Sequence, residues 1–392
     1  MFQQLVSRSP DLKRLRDEGY DIAFKAGYLL VKQVPYVNSN KEVCCGTLVS
    51  ELVVNGNTAG KPNTHVAFFA GEHPCHKDGS KIQQIAHGSS RMAIGDDFAT
   101  DHSFSSKPPD GYTDYYDKVT KYVRIIAGPA QALDQTVTAQ VFPPVPADDN
   151  DSVFHYVDTA SSRSKITAVT GRLAGQRLGI IGLGGTGSYV LDFVSKAPAA
   201  EIHLFDGDRF SNHNAFRSPG AASLEELEAN LMKVEYFTRR YSTMHRHVVA
   251  HPYFIDATNV GELEGMTFVF MCIDKGPPKR PIIEALELRG VPFVDVGMGI
   301  DLDPDGKLRG LLRVTASTPD MRDKARGRIS FGEPDQNDEY NSNIQIADLN
   351  ALNAALAVIK WKKLYGFYRD TDREHFSAYN IDGNIIINDD KP

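Results

Sequence analysis

The chain has 392 residues, 41% hydrophobic and 24% charged, with a formal net charge of −7, a size and mix that suit two globular domains with a sizeable core. The negative charge argues against a general nucleic-acid binder, and no apolar run reaches the ~18 residues a membrane span needs. Met1 and Phe2 open a polar, mixed-charge stretch, not a signal peptide, and Cys44, Cys45, Cys75 and Cys272 form no CxxC pair, so a reducing cytoplasm is expected and a zinc ribbon is not.

Leu5, Leu12 and Leu15 mark a helical start over residues 1–20. Strands are expected over 28–34, 43–54 and 65–70, set between turn signals such as Asn55-Gly56-Asn57, and again over 122–127 and 135–142. A polar cluster follows the third strand: Glu72, His73, Cys75 and His76, with His87, Asp101 and His102 further on. Such residues can hold a metal or a nucleophilic thiol at Cys75, but their spacing matches no zinc template, and loop polarity is the default. Adjacent Cys44 and Cys45 read as strand residues on opposite faces. This part is an α+β domain with no glycine-rich loop. Residues 141–150 are rich in proline and acid and read as a linker, giving domains over 1–145 and 151–392.

The second part alternates strand and helix. Strands are expected over 178–181, 202–205, 247–252, 267–272 and 292–296, and helices over 188–196, 224–241 and 278–289. That order implies an α/β fold with a doubly wound, mostly parallel sheet. A longer strand over 308–316 is followed by a polar stretch of mobile character over 317–343. A helix over 346–365 carries Leu349, Leu352, Leu356, Ile359 and Leu364, and a strand or hairpin over 379–387 closes the chain.

The first strand runs into Gly182-Leu183-Gly184-Gly185-Thr186-Gly187 and a helix. Such a turn brings backbone N–H groups onto phosphate at a helix N-terminus. Alone it suits nicotinamide, flavin and other nucleotides alike. Downstream come Asp206 and Asp208 after the second strand, then Asn214 and Arg217, Lys233 on a helix, and Asp274 after the fourth strand. At strand ends these groups would converge over one crevice. Each also has a plainer reading: Asp206 and Asp208 as turn caps, Arg217 and Lys233 as solvated surface, Asp274 as a helix cap.

Together these motifs resemble the adenylating domain of the ubiquitin-activating superfamily, including ThiF/HesA-type activators of sulfur carriers, over roughly residues 155–390. The resemblance implies ATP and Mg²⁺, and adenylation of the C-terminal carboxylate of a ubiquitin-like or sulfur-carrier protein. It implies onward transfer to a conjugating-enzyme-like partner, a homodimer, and no nucleic-acid or membrane partner. It places Gly182, Gly184, Gly185 and Gly187 at the phosphates, Asp206 with its neighbour Asp208 at the ribose, and Asn214 on a phosphate. Arg217 and Lys233 would clamp the triphosphate, Asp274 would hold the metal, and Arg163 would reach into a partner's site. Two features depart from the family. Residues 317–392 contain no cysteine for a thioester, and Cys272 reads as a buried strand residue. The CxxC pairs that hold structural zinc in many relatives are also missing. The first domain resembles an uncharacterised domain that precedes some bacterial ThiF-type proteins, which implies a docking role. Two other readings stay open: an NAD(P)- or FAD-dependent oxidoreductase on the same turn, and a degenerate, non-catalytic docking module.

Overall fold

The computed structural model describes residues 2–148, 152–273, 278–331 and 344–389. The chain divides into two compact units, residues 1–148 with 156–165, and 149–155 with 166–392.

The first unit opens with α1 (Phe2–Arg8) and α2 (Pro10–Asp17), then β1 (Asp21–Lys25), β2 (Tyr28–Val37) and β3 (Val43–Glu51). Short strands β4 (Val54–Asn55) and β5 (Thr58–Ala59) form a ribbon, followed by β6 (Val66–Ala70) and β7 (Ala86–Gly88). A second ribbon, β8 (Met92–Ala93) and β9 (Ala99–Thr100), precedes β10 (His102–Ser105), α3 (Tyr115–Leu133) and α4 (Thr159–Arg163). Six strands pair in the order β1-β2-β3-β6-β10-β7, antiparallel throughout. The strand expected over 122–127 is instead the middle of α3. Its buried residues Tyr115, Val119, Tyr122, Val123, Ile126 and Ala130 recur every three or four positions, and Asp114 caps the first turn by accepting from the Asp117 N–H at 2.8 Å. A short β-branched run suggested a strand, but the period over five turns decides. Over 135–142 no strand forms either; the segment contributes one bridge, Gln140 to Tyr20.

In the polar cluster the Cys75 thiol is buried and donates to the His73 carbonyl at 3.2 Å, and burial pushes its pKa up, the opposite of an activated thiolate. Among the described residues no three His, Cys, Asp or Glu side chains come together as a metal site.

The second unit runs α5 (Thr167–Thr170), β11 (Arg177–Ile181), α6 (Gly185–Val194), β12 (Glu201–Phe205), α7 (Asn212–Ala215), α8 (Leu224–Glu228), α9 (Lys233–Tyr241), β13 (Val248–His251) and β14 (Phe268–Met271). Then come α10 (Lys279–Leu288), β15 (Phe293–Leu302), β16 (Leu308–Ser317), α11 (Arg322–Arg326), α12 (Ala347–Leu364), β17 (Phe376–Asn380) and β18 (Ile385–Asp389). One eight-stranded sheet has the order β13-β12-β11-β14-β15-β16-β17-β18. Its first five strands are parallel and the last three antiparallel. The parallel strands are nearly continuous apolar runs because helices cover both faces. Successive strands leave β11 on one side through β12 and β13, then return to its other side at β14. That reversal opens a crevice at the strand ends, and Ile181, Phe205 and Met271 end those strands in register.

Two helices differ from expectation in ways that matter for the site. The helix expected over 224–241 breaks into α8 and α9. Asn230 turns left-handed at φ +48°, Met232 bridges Arg209, and the Lys233 N–H donates to the Asp208 carbonyl at 2.9 Å. On α12 the leucine stripe is only half-buried and Ile359 is exposed. The inward face is Asn350, Asn353, Ala354, Ala357, Val358, Lys360 and Trp361. Small side chains let α12 lie close on α6, and Trp361 meets Phe270 edge-on at 6.1 Å.

Lys360, also inward, donates to the Glu374 carboxylate and carbonyl, and Lys363 reaches the same carboxylate at 2.9 Å. Burial pushes Glu374 up, but the two lysine hydrogen bonds outweigh it and hold the carboxyl at about 2. Removing one member of a buried pair leaves an unpaired charge, which costs roughly 3–5 kcal/mol. Glu374→Ala is therefore expected to lower the second unit's stability by about 3 kcal/mol in urea denaturation. Lys360→Met combined with Glu374→Leu should recover most of it.

Candidate functional site

The crevice holds a pocket of about 300 Å³, lined from the glycine turn, the ends of β12 and β14, the head of α9, the middle of β15 and the start of α12. The turn is shaped by close backbone packing. Gly182 sits at φ +89°, and a Cβ there would stand 2.7 Å from the Cys272 carbonyl oxygen. A Cβ on Gly187 would collide with the Gly182 carbonyl, and one on Gly185 with the Asn350 carboxamide. Gly184 differs: among the described residues only Gln345 Oε1, at 3.9 Å, lies near its missing side chain. That open space is the approach a ligand would use. Helix α6 begins there with no side chain capping it, so its N-terminal N–H groups and dipole are available to an anion.

Asp206 follows the last residue of β12, is 4% exposed, and organises the floor. Its carboxylate accepts from the Leu183 N–H at 2.6 Å and the Asp208 N–H at 2.8 Å. Lys233, the first residue of α9, lies 3.4 Å from it and 2.6 Å from the Asp208 carboxylate. The break before α9 is what delivers this lysine. On one uninterrupted helix, Lys233 would lack its backbone tie to Asp208.

Arg217 lines the pocket too, and its buried Nε has no hydrogen-bond partner among the described residues. Asn214 does not line it. It is 1% exposed and caps α7, its Oδ1 accepting from the Ser211 N–H and hydroxyl at 3.0 and 3.1 Å. The Arg217 N–H donates to the Asn214 carbonyl at 3.1 Å, so Asn214 fixes the loop that carries Arg217. Gly182, Gly184, Gly185, Asp206, Asp208, Arg217 and Lys233 therefore share one pocket, while Gly187 and Asn214 shape it from behind. Asp274 lies outside the described residues. Arg163 belongs to the first unit, at the end of α4, with its guanidinium 5.1 Å from the Phe142 ring centroid. Cys272 lies one residue past the end of β14, half-buried and lining the pocket, and is not the buried strand residue expected.

Sequence reading missed the contribution of α12. Asn350 Oδ1 accepts from the Thr186 hydroxyl at 2.9 Å, and Asn353 Nδ2 donates to the Gly297 carbonyl at 3.1 Å. Among the described residues, Asn350 Nδ2, Asn353 Oδ1 and Gln345 Oε1 are buried without partners. The available signal was two asparagines three residues apart in a helix whose residues 349–359 are otherwise apolar. Phe254 was missed as well; it lines the pocket and packs on Gly207, where a Cβ would stand 2.7 Å from its ring.

Unpaired buried polar atoms are costly unless something fills them. The unpaired donors Asn350 Nδ2 and Arg217 Nε, in one pocket beside an uncapped helix start and two cations, fit a phosphate-bearing ligand. For a divalent metal, the described residues supply Asp206 and Asp208, both already on Lys233, and no three-ligand cage. Mg²⁺ held mainly by phosphate oxygens and water needs only one or two carboxylates, a demand this set can meet.

Residues 159–319 match the ThiF family, so the second unit holds a nucleotide-type α/β fold of that family. The chain carries a ThiF-family domain, preceded over residues 10–159 by a match to a domain of unknown function, DUF6791. Among solved structures the chain is similar to selenomethionine PaaA, at 16% identity over 57% of this chain and 75% of that one, with a TM-score of 0.44. It is similar to E. coli MccB solved with ATP, at 17% identity over 57% and 66%, TM-score 0.44. It is similar to the E. coli tRNA N6-threonylcarbamoyladenosine dehydratase TcdA in complex with AMP, at 17% identity over 53% and 92%, TM-score 0.39. Curated proteins give no match. Among the described residues no helix is long and apolar enough to cross a membrane.

The glycine geometry separates two roles. Gly187→Ala is expected to cost about 2 kcal/mol through the clash with Gly182. Gly184→Ala should stay within about 1 kcal/mol, because its Cβ has room. Thermal and urea unfolding of both variants would check the difference.

Proposed function

We propose that the second unit adenylates a carboxylate. A carboxylate oxygen of the substrate attacks the α-phosphorus of ATP, the bond to the β-phosphate oxygen breaks, and pyrophosphate leaves with the electron pair. The observation that carries this reading is the pairing, in one pocket, of an uncapped helix N-terminus with Lys233 and Arg217. An anionic nucleophile must approach an anionic triphosphate, which demands fixed positive charge and aligned N–H donors. A dinucleotide site holds its pyrophosphate on the glycine turn and its ribose on the acid, and does not require the pair Arg217 and Lys233.

In this reading the four glycines shape the phosphate turn, and Arg217 and Lys233 hold the phosphates. Asp206 already accepts three hydrogen bonds, two from backbone N–H groups and one from Lys233, so it braces the floor. Asp208, half-exposed, shares the ribose side with it. Asn214 acts on the phosphate through Arg217. Mg²⁺ held by Asp274 and phosphate oxygens would neutralise charge on the leaving group. The substrate we propose is the C-terminal carboxylate of a ubiquitin-like or sulfur-carrier protein. The first unit would dock that carrier, a conjugating-enzyme-like partner would receive the product, and Arg163 would act across a homodimer.

ATP–pyrophosphate exchange with small glycine-terminated proteins tests the reaction. Arg217→Ala should cut exchange about a hundredfold while urea stability stays within about 1 kcal/mol of the parent. Asp274→Ala should abolish exchange with the fold intact. Calorimetric binding of NAD in preference to ATP would overturn the reading, and ATP binding without exchange would favour a docking module.

A further inference from the structure

Gln345, Asn350 and Asn353, at the entry to α12, line the pocket, and each has a buried hydrogen-bonding atom with no partner among the described residues. Asn350 and Asn353 lie one turn apart on its inward face, each 1% exposed. Asn353 gives its Nδ2 to the Gly297 carbonyl, so its free atom is the acceptor Oδ1. Asn350 takes the Thr186 hydroxyl on Oδ1, so its free atom is the donor Nδ2, set against the glycine turn where a Gly185 side chain would stand. Gln345 Oε1 adds a second free acceptor.

These atoms define a complement. A ligand that satisfies Asn353 and Gln345 must bring N–H groups, and one that satisfies Asn350 must bring an oxygen. Phosphate has no N–H to give, so the acceptors are not part of its cradle. A bare carboxylate would set its own oxygens against the Asn353 oxygen, leaving a buried acceptor unpaired. A carboxylate with an amide N–H on its α-carbon fits both demands. The N–H meets Asn353, and an oxygen of the reacting end meets Asn350 beside the phosphates.

We propose that Asn353, with Asn350 positioning the reacting end, selects acyl substrates that carry an amide N–H next to the carboxylate, as a peptide C-terminus does. This rests on the adenylation reading and adds to it the residue that discriminates peptide ends from simple carboxylates.

The test uses the full chain with ATP, Mg²⁺ and hydroxylamine as trap. The probe is a pool of decapeptides with free carboxylates, randomised over the last four positions, and hydroxamates are read by mass spectrometry. ATP binding is measured in parallel by calorimetry. Members of the pool should be converted. Replacing the last amide N–H of the best peptide by an ester oxygen should lower kcat/KM about ten- to hundredfold, the usual loss when a buried acceptor goes unpaired. Asn353→Leu should lose the same factor with the amide and little with the ester, with KM for ATP within about twofold. Equal rates for ester and amide in the parent protein would overturn the proposal without any variant having to fold. So would conversion of simple carboxylates or free amino acids but no peptide, or of nothing while ATP binds. Failure to bind ATP would instead remove the adenylation reading, and this inference with it.

Discussion

The second unit's site depends on the Asp206 carboxylate. One side chain at the end of β12 fixes the glycine turn through Leu183, the following loop through Asp208, and α9 through Lys233. The two contacts of Lys233 are unequal. The ammonium is nearer Asp208, at 2.6 Å against 3.4 Å, but Asp208's side chain is 55% exposed and Asp206's only 5%. Attraction scales inversely with distance and with local dielectric. The dielectric is several-fold lower at a buried carboxylate than in solvent, and the distances differ by less than a third, so burial of Asp206 offsets its longer contact. Water screens the shorter one. Lys233 is thus held in place by Asp206 while Asp208 keeps contact with solvent.

A second constraint comes from the far end of the sequence. Helix α12 packs on α6 through alanines and asparagines, and that closeness is why position 185 must be glycine. The asparagine that takes its space also bonds Thr186. The glycine turn is therefore shaped from two directions, by the β11 and β14 backbones below and by α12 alongside. A residue that looks like part of a phosphate motif can be required by packing. Gly187, which does not line the pocket, is the plainer case.

Much of this was legible in order of residues alone. The alternation of apolar runs and helical periods announced the doubly wound sheet, and the acid, arginine and lysine after the glycine turn came out in one pocket. What failed was local reading without tertiary context. At 122–127 aromatic and β-branched residues gave a strand signal, while the burial period that makes α3 spans 115–130. At 224–241 the charge pattern continued through a break fixed by a left-handed Asn230 and by pairing with Arg209, a partner more than 20 residues away. The leucines of α12 drew attention to the wrong face, because hydrophobicity marks burial only when the neighbouring helix leaves room for large side chains.

That last failure bears on how the pocket works. Beyond the Asp206 and Asp208 carboxylates, its polar groups fall into two chemical sets that sequence position keeps far apart. Residues 182–233 supply donors: helix N–H groups, the Arg217 guanidinium and the Lys233 ammonium. Residues 345–353 supply neutral carboxamides with two acceptors and one donor unpaired among the described residues. Charge can hold phosphate at one set without attracting it to the other, because a carboxamide oxygen repels an anion while an N–H attracts one. A pocket divided this way can hold two different partners side by side, one anionic and one amide-bearing. The division exists only because the closing helix folds back over the first glycine turn, which no reading of either segment by itself could show.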